Sequence, residues 1–227
     1  MRRWMLVCTW CAVLAPRAGQ AQASDKGRPS DARGVQVDGW TGRLDAKAEK
    51  AGKTLADTRL RSSNDTLQVE AGPASIYWHP SHGASGRYTV AATFIASASA
   101  SDEETYGIFM GGSDLDGRVP NHLYCILDGR GSFSIKHRFG GELHSLVERR
   151  SSGAIRRPDA AGRLTNDLAW QVDGETVACL VNGIAVASFP RATVIGDGKL
   201  DSTDGVFGIR VEENVEVRVV GPRLTQP

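Results

Sequence analysis

The run Glu175-Thr-Val-Ala-Cys-Leu-Val-Asn-Gly-Ile-Ala-Val-Ala-Ser-Phe189 decides the fold. Two β-rich segments meet at Asn182-Gly183, and both central residues of a type I′ hairpin turn need positive φ, which Asn and Gly reach at least cost. The same grammar of short strands and glycine turns continues in both directions, from residue 67 to the end of the chain. Thr66-Leu-Gln-Val-Glu70 alternates with period two. In the long segment 87–95, Tyr88, Val90, Ala92 and Phe94 share one face. Near the end, Val215, Val217 and Val219 point one way while Glu216 and Arg218 point the other, the pattern of an antiparallel sheet wetted on one side. About ten to twelve such strands predict an all-β protein, a two-sheet antiparallel sandwich.

Outside that region the text changes. Arg2-Arg3, an apolar core from Trp4 to Leu14 and Ala21-Gln22-Ala23 form the three parts of an export signal over residues 1–23. That apolar run is too short to span a bilayer. Residues 24–36 are polar and rich in Gly, Pro and Ser, which predicts a disordered leader. The sandwich is expected over 37–222, with 223–227 as a tail. Within it, 44–60 is poor in β-formers, and Asp45-Ala-Lys-Ala-Glu-Lys-Ala51 reads as a short helix or a loop. Residues 96–104 read as a loop, and 148–163 as a polar, Arg-rich excursion.

The full chain carries 27 basic and 26 acidic side chains. Removing Arg2, Arg3 and Arg17 with the signal leaves a net charge of −2. A chain so balanced, with no basic stripe interleaved with aromatics, lacks the electrostatic footprint of a nucleic-acid binder. Secretion or the periplasm is the expected destination. Cys125 and Cys179 survive signal removal, both in predicted strands; the sequence leaves open whether they form a disulfide, as an oxidising compartment allows, or pack as small hydrophobes.

The series Gly72-Pro-Ala-Ser-Ile-Tyr-Trp78, Tyr106-Gly-Ile-Phe-Met-Gly-Gly112, Asn166-Asp-Leu-Ala-Trp170, Val181-Asn-Gly183 and Gly205-Val-Phe-Gly-Ile-Arg-Val211 resembles the concanavalin A-like jelly roll. More narrowly, it is similar to bacterial secreted laminin-G-like and 3-keto-disaccharide hydrolase-like domains. The resemblance implies a curved sheet, with 106–110, 123–127 and 132–139 near its middle. In the hydrolase-like domains the strand after Gly-Ile-Phe offers a Glu-x-Gln pair to the concave face. Here Leu123 and Cys125 stand in those places, and Gly111-Gly112 stands where that family carries an Arg. The concave face is accordingly expected to lack a general acid and base.

No catalytic residue stands out. Asp102-Glu103-Glu104 is consecutive in a loop, so its members point different ways, and Glu212, Glu213 and Glu216 read as solvent-facing. His79 and His82 have no third ligand nearby, and His122, His137 and His144 are scattered. No cofactor is expected, with calcium at Asp114-Leu-Asp-Gly117 the one candidate, since its oxygens also suit a plain turn. Flat aromatic rings stack on sugars, which makes Trp78, Tyr106 and Tyr124 the candidate ligand-binding residues. The function expected is binding of carbohydrate or another extracellular polymer without catalysis. The alternatives are a divergent keto-sugar hydrolase or lyase and a structural envelope protein.

Overall fold

A strand with one apolar face must bury it against a second layer, and the described residues do so with fifteen strands in two sheets. The computed structural model describes residues 33–97 and 104–227. In chain order the elements are β1 (Gly34–Val35), β2 (Thr41–Leu44), α1 (Ala46–Lys50), β3 (Thr58–Ser63), β4 (Thr66–Ala71), β5 (Ser75–Ala84), β6 (Tyr88–Ser97), β7 (Tyr106–Ser113) and β8 (Asn121–Leu127). They continue with β9 (Ser132–Phe139), β10 (Glu142–Ser151), β11 (Arg163–Asp173), β12 (Thr176–Val181), β13 (Ile184–Pro190), α2 (Arg191–Val194), β14 (Gly205–Val211) and β15 (Val215–Thr225). One sheet runs β1-β3-β4-β15-β6-β11-β12-β13, the other β10-β9-β8-β7-β14-β5-β2. Among the described residues every pairing between these strands is antiparallel except the two-residue β1–β3 contact.

Between the sheets lies one large core, to which Val90, Phe94, Trp170 and Val219 come from the eight-stranded layer and Tyr77, Ile108, Phe133 and Ile209 from the seven-stranded one. The Trp170 indole donates to the Ile108 carbonyl of the opposite sheet at 3.1 Å, so the largest core side chain satisfies its one polar atom. Cys125 of β8 and Cys179 of β12 both face this core and are joined by a disulfide, which ties the layers together covalently.

The deciding hairpin has the geometry its sequence requires, with φ of 51° at Asn182 and 80° at Gly183. Asn182 does more than turn the chain. Its amide donates to Ala154 O and Asn166 Oδ1, both at 2.8 Å, and its Oδ1 accepts from the Asp167 amide at 2.9 Å, pinning the turn to β11.

Several boundaries move. Residues 34–36 belong to the sandwich, because β1 pairs with Arg59 and Leu60 and the Gln36 amide donates to Leu60 O. At the other end Arg223, Leu224 and Thr225 pair with β6, so the last strand takes in most of the supposed tail. The β-poor stretch 44–60 holds the end of β2, α1 and the start of β3; Thr58 and Leu60 are buried at alternate positions of a strand whose other residues are polar. The Arg-rich excursion opens inside β10, which takes in residues 148–151 and is an edge strand with polar residues on both faces and hence no apolar alternation to reveal it. The export signal and residues 24–32 lie outside the described residues, as do 98–103 of the expected loop; Ala96 and Ser97 are the end of β6.

Candidate ligand-binding site

Strand parity gives the seven-stranded sheet a second, outer face. Cross-strand register sets Trp78, Phe109, Tyr124 and Lys136 in one row and Ile76, Arg210, Ile126 and Ser134 in the next. Gly208 lies between Trp78 and Phe109 in the first row, where a Cβ would sit 2.7 Å from the Phe109 ring and 2.2 Å from the Tyr77 carbonyl. Ile76, Trp78, Phe109, Tyr124 and Ile126 form a small cluster of their own, covered by Leu115 from the loop that follows β7. That loop is held down by Arg43 of β2, whose guanidinium donates to the Leu115 carbonyl at 3.0 Å and to that of Gly117.

The register corrects the sequence expectation for this face. Leu123 and Cys125 point into the core, and the outward residues of β8 are His122, Tyr124 and Ile126. An offset of one residue exchanges every side chain between faces. The face is therefore rich in ionisable groups.

At its centre is Arg210, 1% exposed. It donates to both oxygens of Asp45, the second at 2.9 Å, and to Glu212 at 2.8 Å, while its guanidinium lies 5.2 Å from the Tyr124 ring centroid. Arg138 of β9 adds a second cation on Asp45 at 2.8 Å. Asp45 is the N-cap residue of α1, yet its carboxylate makes no cap hydrogen bond and is spent on the two arginines. Burial draws its pKa upward, but Arg210 and Arg138 outweigh that and hold it below 3.8.

Beside this network is a small cavity of about 90 Å³, whose walls include Arg43, Asp45, Arg118, His122 and Arg138. His122 is 1% exposed, and neither ring nitrogen has a hydrogen-bond partner in the protein. Its ring is held between Phe109, with centroids 5.2 Å apart, and Tyr124, at 5.7 Å. Burial, reinforced by the charges of Arg210 and Arg138, pushes its pKa well below 6.5, so the imidazole is neutral and offers one donor and one acceptor. The Arg138 Nε–H is likewise buried and unpartnered. Arg118 is exposed and makes no ion pair or hydrogen bond with the described residues. Unsatisfied buried polar atoms cost about 1–3 kcal/mol each, so three of them around one cavity need a reason.

The sequence matches no family model and no curated protein. Solved structures do match. A carbohydrate-binding module, CBM66 from Bacillus subtilis, superposes with a TM-score of 0.56 at 12% identity, covering 85% of this chain and 98% of that one. An endo-β-1,3-glucanase from Pyrococcus furiosus gives 0.57 at 11% identity, with 86% and 90% covered. The mixed-linkage-glucan GH16 protein of Bacteroides ovatus gives 0.58 at 7% identity, with 82% and 94% covered. The chain has the concanavalin A-like jelly-roll fold. At these identities the likeness speaks for the fold alone.

Within the jelly roll the aromatics chosen from the sequence separate. Tyr106 faces the core, 3% exposed and stacked on Phe94 with centroids 5.4 Å apart, so it is withdrawn from any ligand; a strand whose two faces are both buried gives no cue to which ring points out. Trp78 and Tyr124 occupy the outer face but are covered, 4% and 0% exposed, and make a floor rather than a stacking platform. Asp114 spends its carboxylate on the Val119 amide at 2.7 Å, the work of an ordinary turn, and Asp116 is exposed. Among the described residues no three His, Cys, Asp or Glu side chains converge as a metal site. Glu104 is half-buried, whereas Asp102 and Glu103 lie outside the described residues. Asp128 is buried in its turn, accepting from the Arg130 and Ser132 amides and paired with Arg149.

Other acids and histidines also find partners. Glu212 is no bystander on the solvent side but a partner of Arg210, whereas Glu213 and Glu216 are exposed. His79 and His82 stack with ring centroids 4.5 Å apart, edged by Trp40.

His137 supplies a test of this electrostatic picture on the core side of the same sheet. Its Nε2 lies 2.7 Å from the Asn121 Oδ1, and the Asn121 amide donates to Lys199 O, so the orientation assigned to Asn121 makes His137 a neutral Nε2–H donor. Burial and the nearby His144 lower its pKa to about 4. The unfolded chain, titrating near 6.5, takes up protons that the native state refuses; stability is whole above 6.5 and is lost as pH falls towards 4. His137 alone should withdraw about 2 kcal/mol between pH 7 and pH 5. Urea midpoints at the two pH values measure it, with the pH dependence reduced in His137→Asn. Equal midpoints for the unaltered protein would contradict the assignment.

Proposed function

We propose that the chain is an exported carbohydrate-binding jelly roll whose ligand engages the cavity at His122 on the outer face of the seven-stranded sheet. One observation carries the reading: a buried imidazole with both nitrogens unpartnered lines a cavity on that face. Folding stability gives no reason to keep it, because an apolar ring of similar size avoids the desolvation cost. A sugar hydroxyl, donor and acceptor at once, matches a neutral imidazole. Trp78 and Tyr124 support the site from below, and the similarity to a carbohydrate-binding module and to glucanases supports the ligand class. Export is supported by the signal-like pattern of residues 1–23 and by the Cys125–Cys179 disulfide.

With few ring-stacking contacts, affinity for a short oligosaccharide should be about 0.1–1 mM. His122→Phe is the direct test. It should leave the protein as stable as before or about 1 kcal/mol more so, and abolish retardation in gels that contain the bound polysaccharide. Retardation equal to that of the unaltered protein would remove the proposal. A second reading, a sugar hydrolase or lyase, takes its support from the similarity to glucanases, although burial and the neighbouring Arg210 and Arg138 disfavour a proton on His122. It predicts product formation that His122→Phe lacks.

A further inference from the structure

We propose that the group entering this cavity is anionic, a carboxylate or sulfate carried on a sugar, and that Arg118 and Arg138 hold it while His122 bonds an adjacent hydroxyl. The inference rests on the sugar-binding reading and narrows its substrate class.

Three guanidinium groups line the cavity, from Arg43, Arg118 and Arg138, against one carboxylate. That carboxylate is not free to repel a ligand, because Asp45 is already clamped by Arg210 and Arg138. Arg138 reaches Asp45 through Nη2 and keeps its Nε–H buried without a partner, a donor in want of an acceptor. Arg118 stands at the surface with no partner among the described residues. A planar or tetrahedral oxyanion accepts from several guanidinium N–H groups at once, which a neutral hydroxyl cannot do. The mature chain's net charge of −2 offers no diffuse attraction to a polyanion, so the local arginines must supply it.

The test is equilibrium binding of the purified protein, at low salt, to three probes: an oligogalacturonate, a sulfated galactan oligosaccharide and a neutral laminarioligosaccharide. At least one acidic probe should bind about tenfold more tightly than the neutral one, and the arm that does so identifies the anion as carboxylate or sulfate. Arg118→Gln should weaken that binding about three- to tenfold without altering the fold, since its side chain is exposed and unpaired. Arg223→Gln, an exposed arginine on the opposite sheet, should change it less than twofold. Equal affinity for neutral and acidic probes, or equal loss in both variants, would overturn the anionic assignment and leave sugar binding standing. Failure of all three probes to bind would overturn both.

Discussion

Replacing Cys125 and Cys179 together by Ala lowers the unfolding free energy by about 4 kcal/mol. The bond joins residues 54 positions apart, and loop-closure entropy in the unfolded chain sets the size of the loss. Position adds to sequence distance. β8 and β12 belong to different sheets, so without the bond only side-chain packing holds the layers together at this point. Urea unfolding of the oxidised protein and the double variant measures the difference. A gap under about 1 kcal/mol would mean that the unfolded chain gains little freedom when the link is removed.

Asp45→Asn is the second large effect, a loss of about 3 kcal/mol. Breaking a buried ion pair from one side strands the remaining charge, and here the stranded charge is Arg210, left with Glu212 alone in a site almost closed to water. Partial exposure of Asp45 places the figure at the low end of the usual range for such pairs. The sign of its pH dependence separates this contribution from that of the histidines. A carboxylate held below 3.8 contributes fully above that value and is lost only as pH falls through its lower native pKa. The deficit of Asp45→Asn should therefore be the same at pH 7 and pH 5. A deficit that vanished at pH 5 would place the titrating group elsewhere.

What the sequence revealed followed from period and turn chemistry. The Asn182-Gly183 hairpin, the alternating faces of β6 and β15 and the sandwich itself were legible because each rests on local pattern. The outer face was not, and β8 shows why. Asn121-His-Leu-Tyr-Cys-Ile-Leu127 is buried at every position, so no alternation marks which residues point outward, and matching a motif one residue out of phase put Leu123 and Cys125 where His122 and Tyr124 stand. Asp45 meets Arg210 across 165 residues of chain, a contact no local pattern announces. One clue was present: Arg210 lies between Ile209 and Val211 in an otherwise apolar strand, and a charge there must find a partner. β3 and β10 escaped for the opposite reason, since their polar residues disguise strands that lie near sheet edges.

The claim that ligand engages His122 is tested most directly by following the imidazole nitrogens of the ¹⁵N-histidine-labelled protein while an oligosaccharide that it retains is added. The account predicts that the His122 nitrogen signals move saturably with ligand, at the concentration that half-saturates binding, while those of His79 and His82 at the Trp40 edge stay in place. Movement of the His79 and His82 signals with His122 unchanged would contradict it.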